Sequence, residues 1–333
     1  MSQPTAIIRT RPNPTCRFCG STGEILYTGL KDKLFNAPGT WQLKQCPRPE
    51  CGLVWPDPVA IEEDLGLAYQ TYYTHAEPPG ALGKLKHLIL SNGYRIAIGI
   101  PAVLTGLYRE RRHFMRMFLD DLPPGRVFDV GCGDGQFLNH VSKLGWKAAG
   151  VDFDAAAIEA GRSKYGLDLK VGDFQTCPVE ESAFDAVTMS HVIEHVPDPV
   201  ACLKKCGRML KPGGRLVVST PNVRSLGHQR FKHSWRGLEQ PRHLHIFSPG
   251  LLGECARRAG LEVVRTGSTA VNADYLVNAS IAIEHAPETA PGIGGGWQVR
   301  FALPALVFQY REHFALRRNP DAGEEAFLVA RRA

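Results

Sequence analysis

The sequence contains no uninterrupted apolar run long enough to cross a bilayer. Its most apolar stretch, from His87 to Tyr108, is interrupted by Asn92, Arg95 and Pro101, whereas a membrane-spanning helix needs about 20 consecutive apolar residues. The N-terminus, MSQPTAIIRTRPNP, also lacks the apolar core of a secretory signal. We therefore expect a cytoplasmic protein that does not span the membrane.

A strong charge of either sign is also missing. The 333 residues carry a net charge of +6, and 22% of them are charged, which is an ordinary soluble composition. A mild positive charge favours anionic partners without requiring nucleic acid, so we expect a small-molecule partner and no nucleic acid. In a reducing compartment, the nine cysteines indicate metal ligands or free thiols, not disulfides.

The stretch from Arg126 to Asn139, RVFDVGCGDGQFLN, predicts a strand, a glycine turn and a helix. Its glycines follow G-x-G-x-G and not the G-x-G-x-x-G of dinucleotide-binding loops. The carboxylates in and beside the turn would repel a pyrophosphate, but they suit a cationic head such as the sulfonium and amino-acid end of S-adenosylmethionine. Glycines permit a positive φ and a close approach of ligand to backbone. The candidate ligand contacts here are Asp129, Gly131, Cys132, Gly133 and Gly135.

The predicted strands that follow end in further polar residues. The run from Trp146 to Val151 closes on Asp152, whose carboxylate can accept hydrogen bonds from both ribose hydroxyls, a device that NAD enzymes also use. Asp173 stands at the end of a third strand, and Ser190 at the end of a fourth. Ligands of open parallel sheets bind beyond these carboxyl ends.

In this order and with short connections, the strands and the later Lys211-Pro212-Gly213-Gly214 turn resemble class I S-adenosylmethionine-dependent methyltransferases. The resemblance implies an α/β fold with a Rossmann-like, seven-stranded, mostly parallel sheet and helices on both faces. It implies S-adenosylmethionine as the cofactor, with Asp173 contacting the adenine amino group. The further cofactor contacts are expected at Asp152, Phe153, Phe174 and Ser190.

Four early cysteines have the spacing of a metal site, as Cys16-x2-Cys19 and Cys46-x4-Cys51. Paired thiolates on two turns can close a tetrahedral Zn²⁺ shell, so we predict a small structural zinc ribbon before the sheet. Four free thiols are the alternative. An N-terminal zinc module of this kind resembles the arrangement in sugar C-methyltransferases of deoxysugar pathways.

The segment Ser190 to Pro199 is predicted to carry the chemistry. Methyl transfer is an in-line displacement from a sulfonium, so the protein must align the acceptor and remove its proton. Histidine is the side chain whose reference pKa lies closest to working pH, so His195 is the expected base, which Glu194 would orient or replace. The Glu-His pair resembles that of sugar methyltransferases and of ubiquinone-pathway O-methyltransferases. The alternative is that His195 merely caps a helix.

A second histidine cluster, His243 and His245, is expected to place both side chains on one face if the segment is extended. It would either shape the acceptor pocket or form a metal site with His191, Glu194 and His195, as in small-RNA 2′-O-methyltransferases. The basic loop from Val223 to Arg236 suits an anionic acceptor, with a solvated loop as the alternative. The candidate acceptor contacts are His191, Tyr72, Tyr73, Asn222, Arg242, His243 and His245, the tyrosines being packing residues in the alternative interpretation.

We predict a zinc-ribbon module at residues 1–75, a helical linker or lid at 76–122, and a methyltransferase domain at 123–333 with an insertion at 268–322. Segments 84–118 and 297–318 are basic and partly apolar, so each is a candidate for peripheral membrane contact as well as for a lid. The predicted activity is methylation of a sugar or nucleotide-sugar. The alternatives are a quinone or lipid-linked phenol at a membrane surface, and a zinc-ribbon binding protein that holds the cofactor without catalysis.

Overall fold

A computed structural model describes residues 7–69, 101–287, 292–294 and 296–333. Short strands make up the N-terminal module, and seven longer ones form the main sheet. In the N-terminal module the strands are β1 (Thr10–Arg11), β2 (Glu24–Leu30), β3 (Trp41–Gln45), β4 (Val54–Pro56) and β5 (Val59–Ala60). In the main sheet they are β6 (Arg126–Val130), β7 (Lys147–Asp152), β8 (Asp168–Val171), β9 (Phe184–Ser190), β10 (Leu210–Pro221), β11 (Glu262–Thr269) and β12 (Glu325–Arg331).

The described residues include the following eight α-helices. They are α1 (Leu107–Met115), α2 (Gln136–Ser142), α3 (Ala155–Tyr165), α4 (Pro199–Met209), α5 (Leu226–Phe231), α6 (Pro249–Arg258), α7 (Ala273–His285) and α8 (Ala302–Ala315). Capping side chains start several of them. Asp154, Asp198 and Ser248 accept hydrogen bonds from the first turns of α3, α4 and α6, and Pro follows the last two caps at the first helical position.

The main sheet has the order β11-β12-β10-β9-β6-β7-β8, with β12 antiparallel to both its neighbours and the remaining pairs parallel. This confirms the predicted seven-stranded, mostly parallel fold. From β6 the chain proceeds outward through β7 and β8 and then returns to the other side of β6 as β9. Such a switch point opens a crevice at the carboxyl ends of β6 and β9, where ligands bind in open α/β sheets.

The N-terminal module packs directly on the main domain. Trp55 and Leu53 are buried in the same apolar cluster as Phe247 and Leu252, and Val54 pairs with Ile246 through a β-bridge. Because burying apolar surface is worth about 25 cal/mol per Å², this shared cluster links the stability of the module to that of the domain.

Two further helical regions lie outside the parallel part of the sheet. Residues Glu62–Tyr69 form a 3₁₀ helix, and Tyr72 and Tyr73 lie outside the described residues. In the 268–322 insertion, α7 is followed by the 3₁₀ turn Val299–Phe301 and by α8. Within the described residues, each helix is too short or too polar to traverse a bilayer.

Candidate active site

The glycine turn after β6 has the predicted strand-turn-helix geometry. Gly131, Gly133 and Gly135 have φ angles of 72°, 52° and 73°, a region that favours glycine. A Cβ atom on Gly131 would lie 2.3 Å from Val192 Cγ2, whereas one on Gly133 would have no atom within 4 Å. The turn therefore touches the segment after β9 on one side and leaves space beside Gly133 on the other.

Asp152 fixes this turn from the end of β7. Its Oδ2 accepts a hydrogen bond from Gly133 N at 2.8 Å, and its Oδ1 accepts one from Asp154 N at 2.9 Å. Each carboxylate oxygen retains a second lone pair, so both can still accept hydrogen bonds from ligand hydroxyls. The next residue, Phe153, is 65% exposed and offers a ring face beside the turn.

The other predicted cofactor residues differ in accessibility. Asp129 is buried in β6 and accepts a hydrogen bond from Thr188 Oγ1 at 2.6 Å, and burial raises its pKa to about 7. Asp173 and Ser190 are partly or fully exposed at strand ends. The side chains of Cys132 and Phe174 are instead buried, so a ligand would contact these two residues mainly through their backbone atoms.

A cavity of about 340 Å³ lies beyond the end of β9. Its walls come from the 3₁₀ turn Ile193–His195, the loop before α6, helix α7 and the start of β12. The lining side chains used below are His191, Glu194, His195, Arg236, Glu239, His243, Tyr275 and Glu325. The cavity therefore combines predicted acceptor residues with residues of the insertion and of the last strand.

Tyr69 connects the two sides of the site. Its ring lies 5.6 Å from that of Phe153 on the cofactor side, and its Oη lies 3.2 Å from His195 Nδ1 on the acceptor side. Together with the contact between Gly131 and Val192, this places the glycine turn and the cavity next to each other.

His191 and Glu194 form an ionised pair at the cavity wall. Glu194 is fully buried, and its Oε1 lies 3.4 Å from His191 Nδ1. Burial raises the pKa of Glu194, but His191, His195 and His243 outweigh it and lower that pKa to about 2. Desolvation lowers the pKa of His191, but Glu325 and Glu194 reverse this and raise it. A carboxylate with so low a pKa stays ionised and is a poor base. Of the two predicted roles, the structure therefore favours a Glu194 that orients His195 over a Glu194 that acts as the base itself.

The two histidines beside Glu194 each have a fixed tautomer. His195 Nδ1 lies 3.0 Å from the Arg242 carbonyl, and His243 Nδ1 lies 2.8 Å from the Gly237 carbonyl. A carbonyl only accepts, so each Nδ1 must carry the proton, and each Nε2 presents a lone pair. Burial lowers the pKa of His243 to about 4, which keeps this imidazole neutral.

The prediction that His243 and His245 share a face is wrong. The segment bends at Leu244, where the backbone N–H groups of Leu244 and His245 both donate to the Glu194 carbonyl, at 2.7 and 3.1 Å. His245 instead lies beside Phe247, with a ring separation of 6.0 Å, and does not join the cluster of Glu194, His195 and His243. The two histidines would share a face only in an extended segment, and the bend at Leu244 prevents that.

Arg242 and Asn222 have structural contacts that exclude the predicted role in acceptor binding. The Arg242 guanidinium is fully buried and bonds Asp32 Oδ2 at 2.8 Å, Glu239 Oε1 at 3.0 Å and the Ala68 carbonyl at 2.7 Å. Asn222 Nδ2 donates to the carbonyls of Asp321 and Gly323, both at 2.7 Å, and its Oδ1 accepts from the Arg224 N–H.

The basic loop from Val223 to Arg236 is likewise largely neutralised within the chain. Arg224 pairs with Asp321 at 2.9 Å, Arg230 pairs with Glu284 at 2.9 Å, and Arg236 pairs with Glu239. These pairs remove much of the support for an anionic acceptor that the sequence suggested.

Sequence reasoning missed several cavity residues. Glu239 stands in the histidine-rich segment but has no motif of its own, and Glu325 opens β12 at an unremarkable strand start. Asn272 and Tyr275 belong to the insertion, where Asn272 Nδ2 donates to Glu325 Oε2 at 2.7 Å. Only the clustering of acids with histidines near Glu239 was visible beforehand as a signal.

The predicted cysteine cluster is present in the N-terminal module. The Sγ atoms of Cys16, Cys19, Cys46 and Cys51 all lie within 4.8 Å of one another, with Cys16–Cys51 at 3.6 Å and Cys19–Cys46 at 3.3 Å. Zn–S bonds of about 2.3 Å in a tetrahedron require sulfur separations of about 3.8 Å, so these thiols fit a metal ion with small adjustments.

Comparison with known proteins gives a family for the central part of the chain. Residues 106–266 match the model of a methyltransferase domain. A ubiquinone biosynthesis O-methyltransferase from Xanthomonas oryzae pv. oryzae is 37% identical over 144 residues, which are 41% of this chain and 59% of that protein. One from Alkalilimnicola ehrlichii is 35% identical over 119 residues, 34% of this chain and 48% of that protein. The chain thus spans little more than half the length of the curated relatives that it matches.

Similar solved structures include the [4+2]-cyclase SpnF, at 23% identity and a TM-score of 0.44 over 69% of this chain and 79% of that one. A putative methyltransferase bound to the Haloferax volcanii Trm112 activator is 22% identical, with a TM-score of 0.46 over 67% of this chain and 91% of that one.

Proposed function

Because residues 106–266 belong to the methyltransferase-domain family of the class I S-adenosylmethionine-dependent type, we propose that the protein transfers a methyl group from S-adenosylmethionine to a hydroxyl group of a small molecule. The observation that carries the proposal is the adjacency of the glycine turn and the cavity, which meet at Gly131 and Val192 and through Tyr69. A methyl donor on one side would thereby face an acceptor on the other.

The residues around the turn fit the cofactor. Gly133 combines a positive φ with open space, the oxygens of Asp152 retain acceptor capacity for ribose hydroxyls, and Phe153 is exposed for stacking on a base. When bound, S-adenosylmethionine supplies an activated methyl group and its own leaving group. The chain's task is to position the acceptor and manage its proton.

On the acceptor side, His195 is the best candidate to receive that proton. Its Nδ1–H is held by the Arg242 carbonyl, so the Nε2 lone pair is the available basic site. Glu194 stays ionised beside it and stabilises a positive charge on the imidazole. His191, with its raised pKa, would stabilise negative charge that develops on the acceptor oxygen.

The proposed acceptor is a phenolic hydroxyl, and a sugar hydroxyl is the second candidate. The relatives named for ubiquinone biosynthesis support a phenol related to a quinone precursor, and Tyr275 and Leu276 give the cavity one less polar wall. The histidines and carboxylates of the other walls favour a sugar or nucleotide-sugar, since such acceptors present many hydroxyl groups.

We also propose that the four N-terminal cysteines hold a structural Zn²⁺. Four thiolates complete a tetrahedral shell and leave no position for a reacting group. The ion would then stabilise the module whose residues Val54, Trp55 and Asp32 contact the acceptor side.

A peripheral contact with an anionic bilayer is proposed for the surface formed by α8 and residues 103–104. Leu303, Val307 and Leu104 are 70%, 61% and 82% exposed. Arg311 is exposed on α8, and the exposed Arg317 follows just after the helix ends. Exposed apolar side chains with flanking arginines suit a membrane interface. Helix α8 belongs to the insertion whose residues Asn272, Tyr275 and Leu276 line the cavity, so a lipid-linked acceptor would be reached from there.

Calorimetric titration with S-adenosylhomocysteine tests the cofactor assignment. We expect binding that Asp152→Ala weakens by at least about tenfold, since two ribose hydrogen bonds are lost. Asp168→Ala, on the neighbouring strand β8, is the control and should bind normally. If His195→Gln kept full methyl-transfer activity, His195 would not be the base. If the wild-type protein bound S-adenosylhomocysteine but transferred no methyl group, a protein that holds the cofactor without catalysis would be favoured. Binding of a nicotinamide dinucleotide with no affinity for S-adenosylhomocysteine would overturn the proposal.

A further inference from the structure

A second and larger cavity lies between the N-terminal module and the main domain. Its volume is about 690 Å³, which is in the range of small-molecule sites, and such sites occur preferentially where two domains meet. The module contributes Tyr27 and Gln45, and the main domain contributes Gln229, Lys232 and Asn319. Among the described residues, this junction groove shares no lining residue with the acceptor cavity beyond β9. It is therefore a separate site.

Two contacts join the opposite walls of the junction groove. Tyr27 Oη lies 3.1 Å from His228 Nε2. Because His228 Nδ1 donates its proton to the Val223 carbonyl at 2.6 Å, the tyrosine hydroxyl must be the donor in the first contact. Arg224 Nη2 donates to the Pro49 carbonyl, also at 2.6 Å. These contacts preform the groove, which lowers the entropy cost of binding a ligand there.

One cation of the junction groove has no counter-charge. Arg224 is paired with Asp321 Oδ2 at 2.9 Å, and burial lowers the pKa of His228 and keeps its imidazole neutral. The exposed Lys232, in contrast, makes no ion pair or hydrogen bond through its side chain within the described residues. The groove thus carries one uncompensated positive charge, which suits the single charge of a carboxylate better than a phosphate dianion.

Three side-chain amides offer free hydrogen-bonding groups beside this charge. Within the described part of the chain, the Gln45 amide makes no hydrogen bond. Gln229 donates from Nε2 to a backbone carbonyl at 3.1 Å, which leaves its Oε1, and Asn319 accepts a backbone N–H at 3.1 Å through Oδ1, which leaves its Nδ2. The remaining amide groups both donate and accept, as sugar hydroxyls do.

We propose that the junction groove binds an acidic saccharide, with the carboxylate of a uronic acid beside Lys232 and the sugar hydroxyls on the three amides. The half-buried Leu26 and Tyr27 give apolar surface on which the C–H face of a sugar ring packs. An adjoining cavity of about 260 Å³ shares Gln45 with the groove and contains Glu24. It gives room for a further, uncharged sugar unit. The inference goes beyond methyl transfer, since this groove holds no reacting group.

The test is calorimetric titration of the full-length, zinc-loaded protein with aldotriouronic acid, a xylobiose that carries a methylated glucuronic acid. Xylotriose has the hydroxyls without the charge, and the peptide acetyl-Gly-Glu-Gly-amide has a carboxylate without the hydroxyls. We expect aldotriouronic acid to bind more tightly than either. Lys232→Gln should weaken its binding about fivefold, the upper range for an ion pair at an exposed site, and leave xylotriose binding unchanged. Lys204→Gln is the matched control, because Lys204 is exposed on α4 outside the groove, and should change nothing.

Gln45→Ala should weaken the binding of both saccharides by about threefold, since a neutral hydrogen bond is lost. Absence of binding of aldotriouronic acid, or equal effects of the two lysine substitutions, would overturn the inference. Xylotriose or the peptide binding as tightly as aldotriouronic acid would overturn it as well. Titration of the same samples with S-adenosylhomocysteine should give equal affinities for the wild type and every variant. Loss of cofactor binding in all of them would refute the methyltransferase proposal without affecting the groove.

Discussion

Around the glycine turn the polar contacts join backbone N–H groups to the carboxylates of Asp134 and Asp152, whereas around the acceptor cavity they join ionised side chains. Arg236, Arg242, Glu194, Glu239 and His191 are all paired there. The first arrangement depends on a short local sequence. The second depends on residues brought from the N-terminal module, the insertion and the last strand. Substitutions elsewhere in the chain should therefore leave cofactor binding largely unchanged, but they should impair the acceptor side.

Arg242→Ala is expected to have the largest effect and tests whether the two sides differ in this way. The change leaves Asp32 and Glu239 buried without their shared partner, and breaking a buried ion pair costs about 3–5 kcal/mol. We expect urea denaturation to show that loss in the free energy of unfolding. Methyl transfer should fall sharply, while affinity for S-adenosylhomocysteine in the folded protein stays within about twofold.

The matched control is Arg224→Ala, which removes a half-exposed pair with Asp321 and should cost less than about 1 kcal/mol. If both arginine variants lost similar stability, the buried network around Arg242 would not be the special feature of the acceptor side. If Arg242→Ala lowered the affinity for S-adenosylhomocysteine by the same factor as the rate of methyl transfer, the cofactor side would depend on the acceptor side.

The next test concerns Asp129, a buried acid of the cofactor side. Burial raises the pKa of Asp129 to about 7, so between about pH 4 and pH 7 the folded protein retains a proton that the unfolded chain releases. Its contribution to stability is therefore fully present below about pH 4 and is lost as the pH rises through about 7. Asp129→Asn, which can still accept from Thr188, should remove this dependence.

The expected gain of Asp129→Asn over wild type is on the order of 4 kcal/mol at pH 8 and less than about 1 kcal/mol at pH 4, measured by urea denaturation at both values. A difference between the two proteins that is the same at both pH values would show that folding does not raise the pKa of Asp129. The cofactor side would then resemble the acceptor side in holding a buried charge.

A smaller effect is expected from Gly133→Ala. The added Cβ meets no protein atom within 4 Å, but it occupies the space beside the turn and requires a positive φ. Such strain costs about 1 kcal/mol. We expect affinity for S-adenosylhomocysteine to fall by about tenfold, equivalent to about 1.4 kcal/mol.

Gly166→Ala is the control for backbone strain, because Gly166 has a similar φ of 65° and open space at the end of α3. It should lose similar stability and no affinity. Equal affinities for both glycine variants would mean that no ligand approaches Gly133.

The difference between the two sides also explains what the sequence could predict. The glycine turn after β6 depends on neighbours a few residues away, and the structure has it. The roles of Arg242, Asn222 and His245 were predicted wrongly, because they are decided by Asp32, by the carbonyl of Gly323 and by a bend at Leu244. Those partners are distant in sequence or lie in irregular backbone, which periodicity does not reveal.

The smallest predicted effect extends the comparison to the surface. If the acceptor side faces a bilayer, vesicles that contain phosphatidylglycerol should sediment part of the protein, and phosphatidylcholine vesicles should sediment less, because the flanking arginines attract anionic lipid. Leu303→Ser with Val307→Ser should lower the sedimented fraction severalfold, since burying each side chain is worth about 1.5–3 kcal/mol at most. Val264→Ser is the control, as Val264 is 55% exposed on β11 and should change nothing. Equal sedimentation of all three proteins would show that α8 does not contact the membrane. The proposed route of a lipid-linked acceptor to the cavity would then lose its support, and the conclusions about the cofactor side would be unaffected.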